Sequence, residues 1–144
     1  MAFFLMQCLH HPDQDAARDA LRPAHRVWVS SGGEGLVSVL IGSALTDATG
    51  SSIGNFGILE AESEANARRF AEGDPFAQAG IVASITLSPL PDSFQAQRIT
   101  DPMSPRLQPP SGGAFRRAPR TPQASAARTA ASCTANRSAI CAIA

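Results

Sequence analysis

The chain has 144 residues, of which 44% are hydrophobic, and this length suits one domain rather than several. Residues 1–102 carry all 12 acidic residues and 6 arginines, for a net charge of −6, whereas residues 103–144 carry 6 arginines and no acid, for a net charge of +6. No stretch approaches the ~20 apolar residues of a membrane span, and no basic residue precedes the apolar start, so we expect neither a membrane segment nor a secretory signal.

The first part of the chain predicts a strand followed by a helix in two pieces. Phe3 to Leu9 is an almost continuous apolar run that stops at a polar, proline-containing segment, which favours a buried strand. Asp13 or Asp15 caps a first helical turn, and Pro23 suits the first position of a second helical piece that ends near residue 31. The stripe expected to face inward comprises Ala17, Leu21, Ala24 and Trp28.

Two further strands are predicted after a glycine-rich stop. Leu36 to Leu45 is an apolar, β-branched run, and Gly42 within it indicates a bulge or a close approach of backbone. A turn-forming segment over residues 46–51 then leads to a third strand, Ile53 to Leu59, so the two strands are expected to form a hairpin.

The stretch over residues 60–89 predicts a helix, a sharp turn and a last strand. Ser63 can cap the helix start, and Gly73 is expected to end the helix in the left-handed conformation. Pro75 prevents the helix from resuming and biases Asp74 toward an extended backbone. The β-branched run Ile81 to Leu87 is the fourth strand, and the helix buries a stripe that comprises Ala67, Phe70 and Ala71.

The predicted order is therefore strand, helix, strand, strand, helix, strand. This is the α+β, ferredoxin-like βαββαβ arrangement, with a four-stranded antiparallel sheet and two helices on one face. The other face of the sheet stays uncovered in this arrangement, so we expect a homodimer through that open face. The same topology brings a set of polar residues to one end of the sheet, namely His10, His11, Asp13, Asp47 and Asp74, with His25 close by.

Three short segments together are similar to the YCII-related (YciI-like) family. They are Arg22-Pro23-Ala24-His25, Gly73-Asp74-Pro75-Phe76 and Ala79-Gly80-Ile81, and the resemblance covers roughly residues 3–90. It implies a small domain of the dimeric α+β barrel superfamily with a site centred on His25 and Asp74. It also implies a cofactor-independent activity like those of known relatives, which include a dehydrochlorinase acting on a chlorinated hydroquinone and muconolactone isomerase.

The candidate catalytic residues are His25 and Asp74. As a pair they form a general acid/base, with the carboxylate orienting the imidazole. The alternative is a surface histidine and an aspartate that caps local backbone N–H groups. Arg22 either holds a substrate carboxylate or phenolate or extends into solvent. The substrate-binding candidates are Arg22, His10, Asp47 and Phe76.

Metal and cofactor sites are not predicted. His10, His11 and Asp13 have the side-chain types of metal ligands, but adjacent histidines at a strand end point to opposite sides and no second ligand pair follows. The cysteines, Cys8, Cys133 and Cys141, are an odd number without metal-type spacing, so neither a disulfide framework nor a zinc site is predicted. A reducing cytoplasm is the expected location, and Cys8 is expected to be a small core residue.

Residues 1–95 are expected to form the domain, and residues 96–144 a disordered tail rich in Ala, Arg, Ser and Pro. Composition and charge change together after Met103, which favours a terminus translated in an altered reading frame over a nucleic-acid-binding tail. The functional hypothesis is a small enzyme that performs proton transfer, elimination or isomerisation on a small cyclic or carboxylated metabolite. The alternative is a non-catalytic domain that binds a small ligand or a partner.

Overall fold

The structure, a computed structural model, describes residues 1–107. Its strands are β1 (Ala2–His10), β2 (Val37–Thr46), β3 (Ser52–Ala61) and β4 (Val82–Leu90), and its helices are α1 (Asp15–Ser30), α2 (Gly32–Gly35), α3 (Glu64–Gly73) and α4 (Pro75–Gln78). The strands form one antiparallel sheet in the order β2-β3-β1-β4. The predicted α+β, ferredoxin-like order and the β2–β3 hairpin are confirmed. None of the described helices is long and apolar enough to cross a membrane.

Helix α1 runs without interruption through Pro23, so the expected division into two helical pieces is wrong. Proline lacks the N–H that would bind the carbonyl of Asp19, one turn earlier. Both residues are exposed, so water can take the place of that missing hydrogen bond. The helix therefore tolerates proline at a solvent-facing position.

Helix α3 begins as predicted, because the Ser63 side chain accepts a hydrogen bond from the N–H of Asn66. Its end differs from the prediction. Gly73 ends the helix with a negative φ, not in the left-handed conformation. A glycine at this position leaves space for the Trp28 ring, because a Cβ there would lie 2.6 Å from Cζ2 of Trp28. The Trp28 indole N–H donates to the carbonyl of Phe70 at 3.0 Å, so this side chain ties the end of α1 to the end of α3.

The two long helices sit differently on the sheet. Helix α3 packs on all four strands and buries the predicted stripe of Ala67, Phe70 and Ala71 in the core, together with Phe4 and Leu59. Helix α1 instead packs mainly against the short helices α2 and α4. As a result, space remains between α1 and the β2–β3 half of the sheet.

Residues 91–107, which we call the strap, continue past β4 and return to strand β2. The N–H groups of Met103 and Ser104 donate to the carbonyl of Val39 at 2.9 and 3.1 Å, and the Ser104 hydroxyl accepts the Val39 N–H at 2.7 Å. Ser104 is only 4% exposed. Both outward backbone groups of Val39, on an edge strand, are thereby satisfied.

The strap differs from the tail that was expected after residue 95. Residues 96–107 were expected to belong to the tail, but Ala96 and Ser104 are buried against the domain. Ser104 is held by backbone and hydroxyl hydrogen bonds, which leave no apolar periodicity in the sequence. The rest of the predicted tail, residues 108–144, lies outside the described residues.

The strap also covers one end of the sheet face opposite α3. Phe94 packs edge-on against Phe3 with ring centroids 5.4 Å apart, and Arg106 approaches Glu60 at 3.5 Å. Phe3 and Glu60 pair directly in the sheet. Because side chains alternate between the two faces of a strand and each of these residues has a buried neighbour, Phe3 and Glu60 lie on the face opposite the core. Leu9 and Ile41 elsewhere on that face stay 47% and 46% exposed.

Candidate active site

A cavity of about 330 Å³ lies between α1 and the β2–β3 half of the sheet. Its walls come from α1, from strands β1, β2 and β3, from the α3–α4 turn and from Met103 of the strap. Beside this cavity, Trp28 ties the end of α1 to the end of α3, and α1 packs mainly against α2 and α4 rather than against the sheet.

His25 and Asp74 meet in this cavity as predicted. The Nδ1 atom of His25 lies 2.8 Å from Oδ1 and 2.7 Å from Oδ2 of Asp74. Asp74 is fixed by its place in the chain, since its extended backbone ends α3 and its Oδ1 accepts the N–H of Phe76 at 2.9 Å to cap α4. The side chains of His25 and Asp74 are 17% and 9% exposed, so water screens this contact only partly.

The contact fixes the tautomer of His25. An ionised carboxylate only accepts hydrogen bonds, so Nδ1 of His25 carries the hydrogen and the neutral ring keeps its lone pair on Nε2. Among the described residues, no protein group hydrogen-bonds Nε2. His25 therefore has one nitrogen committed to Asp74 and the other available to a ligand in the cavity.

Phe76 supports the imidazole from its flat side. The two rings stack with centroids 4.2 Å apart and 7° between their planes. His10 meets the same phenyl ring edge-on at 5.7 Å. Phe76, predicted as a substrate-binding residue, thus lines the cavity and also separates the two histidines.

His10 lines the cavity as well, but both its nitrogens have protein partners. Its Nε2 lies 3.0 Å from Oδ1 of Asn55, and its Nδ1 lies 3.4 Å from Nη1 of Arg18. A guanidinium can only donate, so Nδ1 accepts and Nε2–H donates to Asn55. Burial is the main cause that lowers the pKa of His10; the hydrogen bond to Asn55 and the Asp74 carboxylate raise this pKa, whereas the positive charge of Arg18 lowers it, as does His25 when protonated.

The cavity-facing stripe of α1 differs from the one expected. It comprises Arg18, Arg22, His25 and Val29, which recur at helical spacing, with Arg26 and Ser30 beside them. Arg18 is buried whereas Ala24, which was expected to face inward, is exposed. The helix turns polar side chains inward because they face a cavity rather than the apolar core.

Arg22 lines the cavity, and its guanidinium also pairs with Asp19 at 2.7 Å. Asp47 does not join the site. It lies exposed in the β2–β3 turn, where Oδ1 accepts hydrogen bonds from Thr49 and from the N–H of Ser51, and these bonds lower its pKa. Turn chemistry within its own segment accounts for this aspartate.

Arg18, Asn55 and Met103 are cavity residues that the sequence reasoning missed. Arg18 could have been found, because it lies one turn before Arg22 and two turns before His25. Asn55 alternates with buried Gly57 and Leu59 along β3, which also indicates the inner face. The sequence carries no comparable signal for Met103, which reaches the cavity only because the strap returns to β2.

The remaining titratable groups do not form a second centre in residues 1–107. Burial raises the pKa of Cys8 to about 12, which keeps its thiol neutral and fits the predicted core role. Within the same residues no group of three or more His, Cys, Asp or Glu is arranged to hold a metal ion.

With this geometry established, the comparisons with known proteins identify the domain. The family model for the YCII-related domain matches residues 2–91. The chain belongs to the YCII-related domain family. The match ends near the end of β4, so all but the first residue of the strap lies beyond it.

One similar solved structure is 5-chloro-2-hydroxyhydroquinone dehydrochlorinase (TftG) from Burkholderia phenoliruptrix AC1100, in complex with 2,5-dihydroxybenzoquinone. The two chains are 26% identical with a TM-score of 0.55, and the match covers 62% of this chain and 93% of the other. No protein with curated annotation matches the sequence.

Proposed function

We propose that this YCII-related protein is a small enzyme that moves a proton during an elimination or isomerisation of a small cyclic or carboxylated molecule. The observation that carries the proposal is the His25–Asp74 contact at 2.7 Å inside a cavity of about 330 Å³, with Nε2 left free of protein partners in residues 1–107. A histidine held in this way is suited to act as a general base and then as a general acid.

Each residue of the pair has a distinct role. Nε2 of His25 takes a proton from the substrate, which leaves an imidazolium beside the Asp74 carboxylate. The carboxylate stabilises that positive charge and keeps the ring in one orientation, while Phe76 holds its flat side. In an elimination, the electron pair of the broken bond to hydrogen forms the new double bond, and the leaving group departs with its own electron pair.

The substrate class is supported by the walls of the cavity and by the solved relative. Phe76, Val29 and Met6 supply apolar wall, and the arginines of α1 that line the cavity supply positive charge for a carboxylate or phenolate. The Burkholderia dehydrochlorinase acts on a chlorinated hydroxyhydroquinone, which is a small ring with acidic hydroxyl groups. We propose a substrate of similar size for this chain.

The proposal is tested by a screen of chlorinated hydroxyhydroquinones and unsaturated lactones, with chloride release and ultraviolet spectra as readouts. Turnover that disappears in His25→Gln, in a protein that still melts cooperatively, supports the enzyme. Ligand-dependent thermal stabilisation without turnover for any compound would instead favour the non-catalytic binding domain.

Self-association through the open sheet face remains a further proposal. Leu9 and Ile41 on that face are 47% and 46% exposed, and the strap covers only the end near Phe3 and Glu60. We expect a homodimer at micromolar concentration, measured by light scattering. A monomer mass for the wild-type chain, equal to that of a Leu9→Glu control, would contradict the dimer.

A further inference from the structure

We propose that Arg18 is the anchor of an anion subsite in the cavity, so that the ligand carries a carboxylate or phenolate that binds this guanidinium. The inference rests on the proposed function and deepens it. It assigns the binding of the ligand's charge to Arg18 rather than to the exposed Arg22, and it leaves proton transfer to His25.

The first support is the burial of a cation whose carboxylate partner is exposed. The Arg18 side chain is 6% exposed, whereas its carboxylate partner Asp15 is 82% exposed and therefore strongly hydrated. A guanidinium has five N–H donors, and in the described residues its contacts are one to Asp15 and a long one to His10 at 3.4 Å. Donors remain for a ligand, and a buried cation gains from a buried anion.

The second support is the way in which neighbouring residues position Arg18. His10 presents the lone pair of Nδ1 to the guanidinium because its Nε2–H is engaged by Asn55 at 3.0 Å. Strands β1 and β3 thus hold the guanidinium of α1 against the cavity wall. An arginine needed only for its charge on the surface would not require this support.

The third support is the charge of the cavity wall as a whole. Three arginines of α1, Arg18, Arg22 and Arg26, line the cavity, and Asp74 is the acidic residue among the lining side chains. That carboxylate is engaged by His25 and by the N–H of Phe76. An anionic ligand would therefore meet an excess of positive charge in a partly desolvated site.

The spacing of the two groups indicates the size of the ligand. Arg18 and His25 are seven residues apart on one face of α1, which is about 10 Å along the helix axis. Both side chains reach the same cavity. Such a distance fits a six-membered ring with a hydrogen bond added at each end. The acidic group of the ring would contact Arg18, and its reacting carbon or hydroxyl would lie near Nε2 of His25.

The test uses benzoate and benzamide, which share shape but differ in charge, with dissociation constants from titration calorimetry on the full chain. The wild-type protein is expected to bind benzoate at least tenfold more tightly than benzamide. Arg18→Met should lose most of that preference and leave benzamide binding unchanged. Arg68→Met, which removes an exposed arginine of α3 outside the cavity wall, is the matched control for net charge and should keep the preference.

A second variant keeps the proposal falsifiable if Arg18→Met does not fold. Asp15→Asn removes the competing carboxylate from Arg18 without touching the cavity, so benzoate should bind a few-fold more tightly. Equal affinities for benzoate and benzamide in the wild-type protein, or unchanged benzoate binding in Asp15→Asn, would overturn the anion subsite. His25→Gln separates the two ideas, because it should abolish turnover and retain benzoate binding.

Discussion

The imidazole of His25 lies flat on the phenyl ring of Phe76, with 4.2 Å between centroids and 7° between planes. The two residues come from different helices, and Asp74 joins them by binding His25 Nδ1 and the Phe76 N–H through one carboxylate. The histidine is therefore held at its edge and on its face by residues only two positions apart. This arrangement explains why the segment Gly73-Asp74-Pro75-Phe76 carries so much of the site.

Phe76→Leu should lower the turnover number about tenfold with a smaller change in KM, because the imidazole loses its stacking partner while Asp74 stays in place. The buried Phe76 also loses packing, which we expect to cost about 1 kcal/mol of unfolding free energy. Steady-state kinetics and urea denaturation measure the two effects. Phe94→Leu, on the strap and outside the cavity wall, is the control that should leave turnover unchanged. Equal kinetics for Phe76→Leu and wild type would show that the stack does not orient His25.

The pH dependence of stability should report on His10. Its pKa in the folded protein lies below that of an unfolded histidine, about 6.5, chiefly because of burial. The unfolded chain therefore takes up this proton first as pH falls, so the contribution of His10 to stability is complete above pH ~6.5 and decreases below it. Melting temperatures between pH 7.5 and 5.5 should fall in the wild type and fall less in His10→Gln.

The exposed His11 provides the control for that experiment, because His11→Gln should keep the wild-type decrease. Nδ1 of His10 lies 3.4 Å from Nη1 of Arg18. Protonation of His10 would therefore place a second positive charge beside the guanidinium and weaken the contact that positions it. A decrease of the same size in His10→Gln and wild type would assign the pH dependence to other groups.

Two truncations test the strap. Deleting residues 103–144 removes Met103 and Ser104 and exposes the edge of β2, whereas deleting residues 108–144 keeps both. The first deletion loses three hydrogen bonds to Val39, each worth about 1 kcal/mol, so it should melt several degrees below the second. Both proteins lack residues 108–144, so the difference isolates residues 103–107 of the strap. Identical melting temperatures would mean that residues 103–107 add nothing to stability.

The sequence was sufficient for the fold and for the contact between His25 and Asp74. The apolar periodicities of the strands and the capping residue Ser63 are local signals, and the structure confirms them. His25 and Asp74 were brought together by chain order and by the family resemblance. What the sequence could not show is that α1 stands off the sheet, because that depends on Trp28 fitting against Gly33 and Gly73. The buried role of Arg18 follows from this displacement.

We propose that His25 moves a proton while Asp74 orients it, and a double-mutant cycle tests this proposal most directly. With the best substrate from the screen, His25→Ala and Asp74→Asn should each lower the turnover number by about 100-fold or more. The double mutant should lose little beyond the worse single variant, because the two residues act as a unit. Losses that multiply in the double mutant, or a His25→Ala variant that keeps wild-type turnover, would contradict the account.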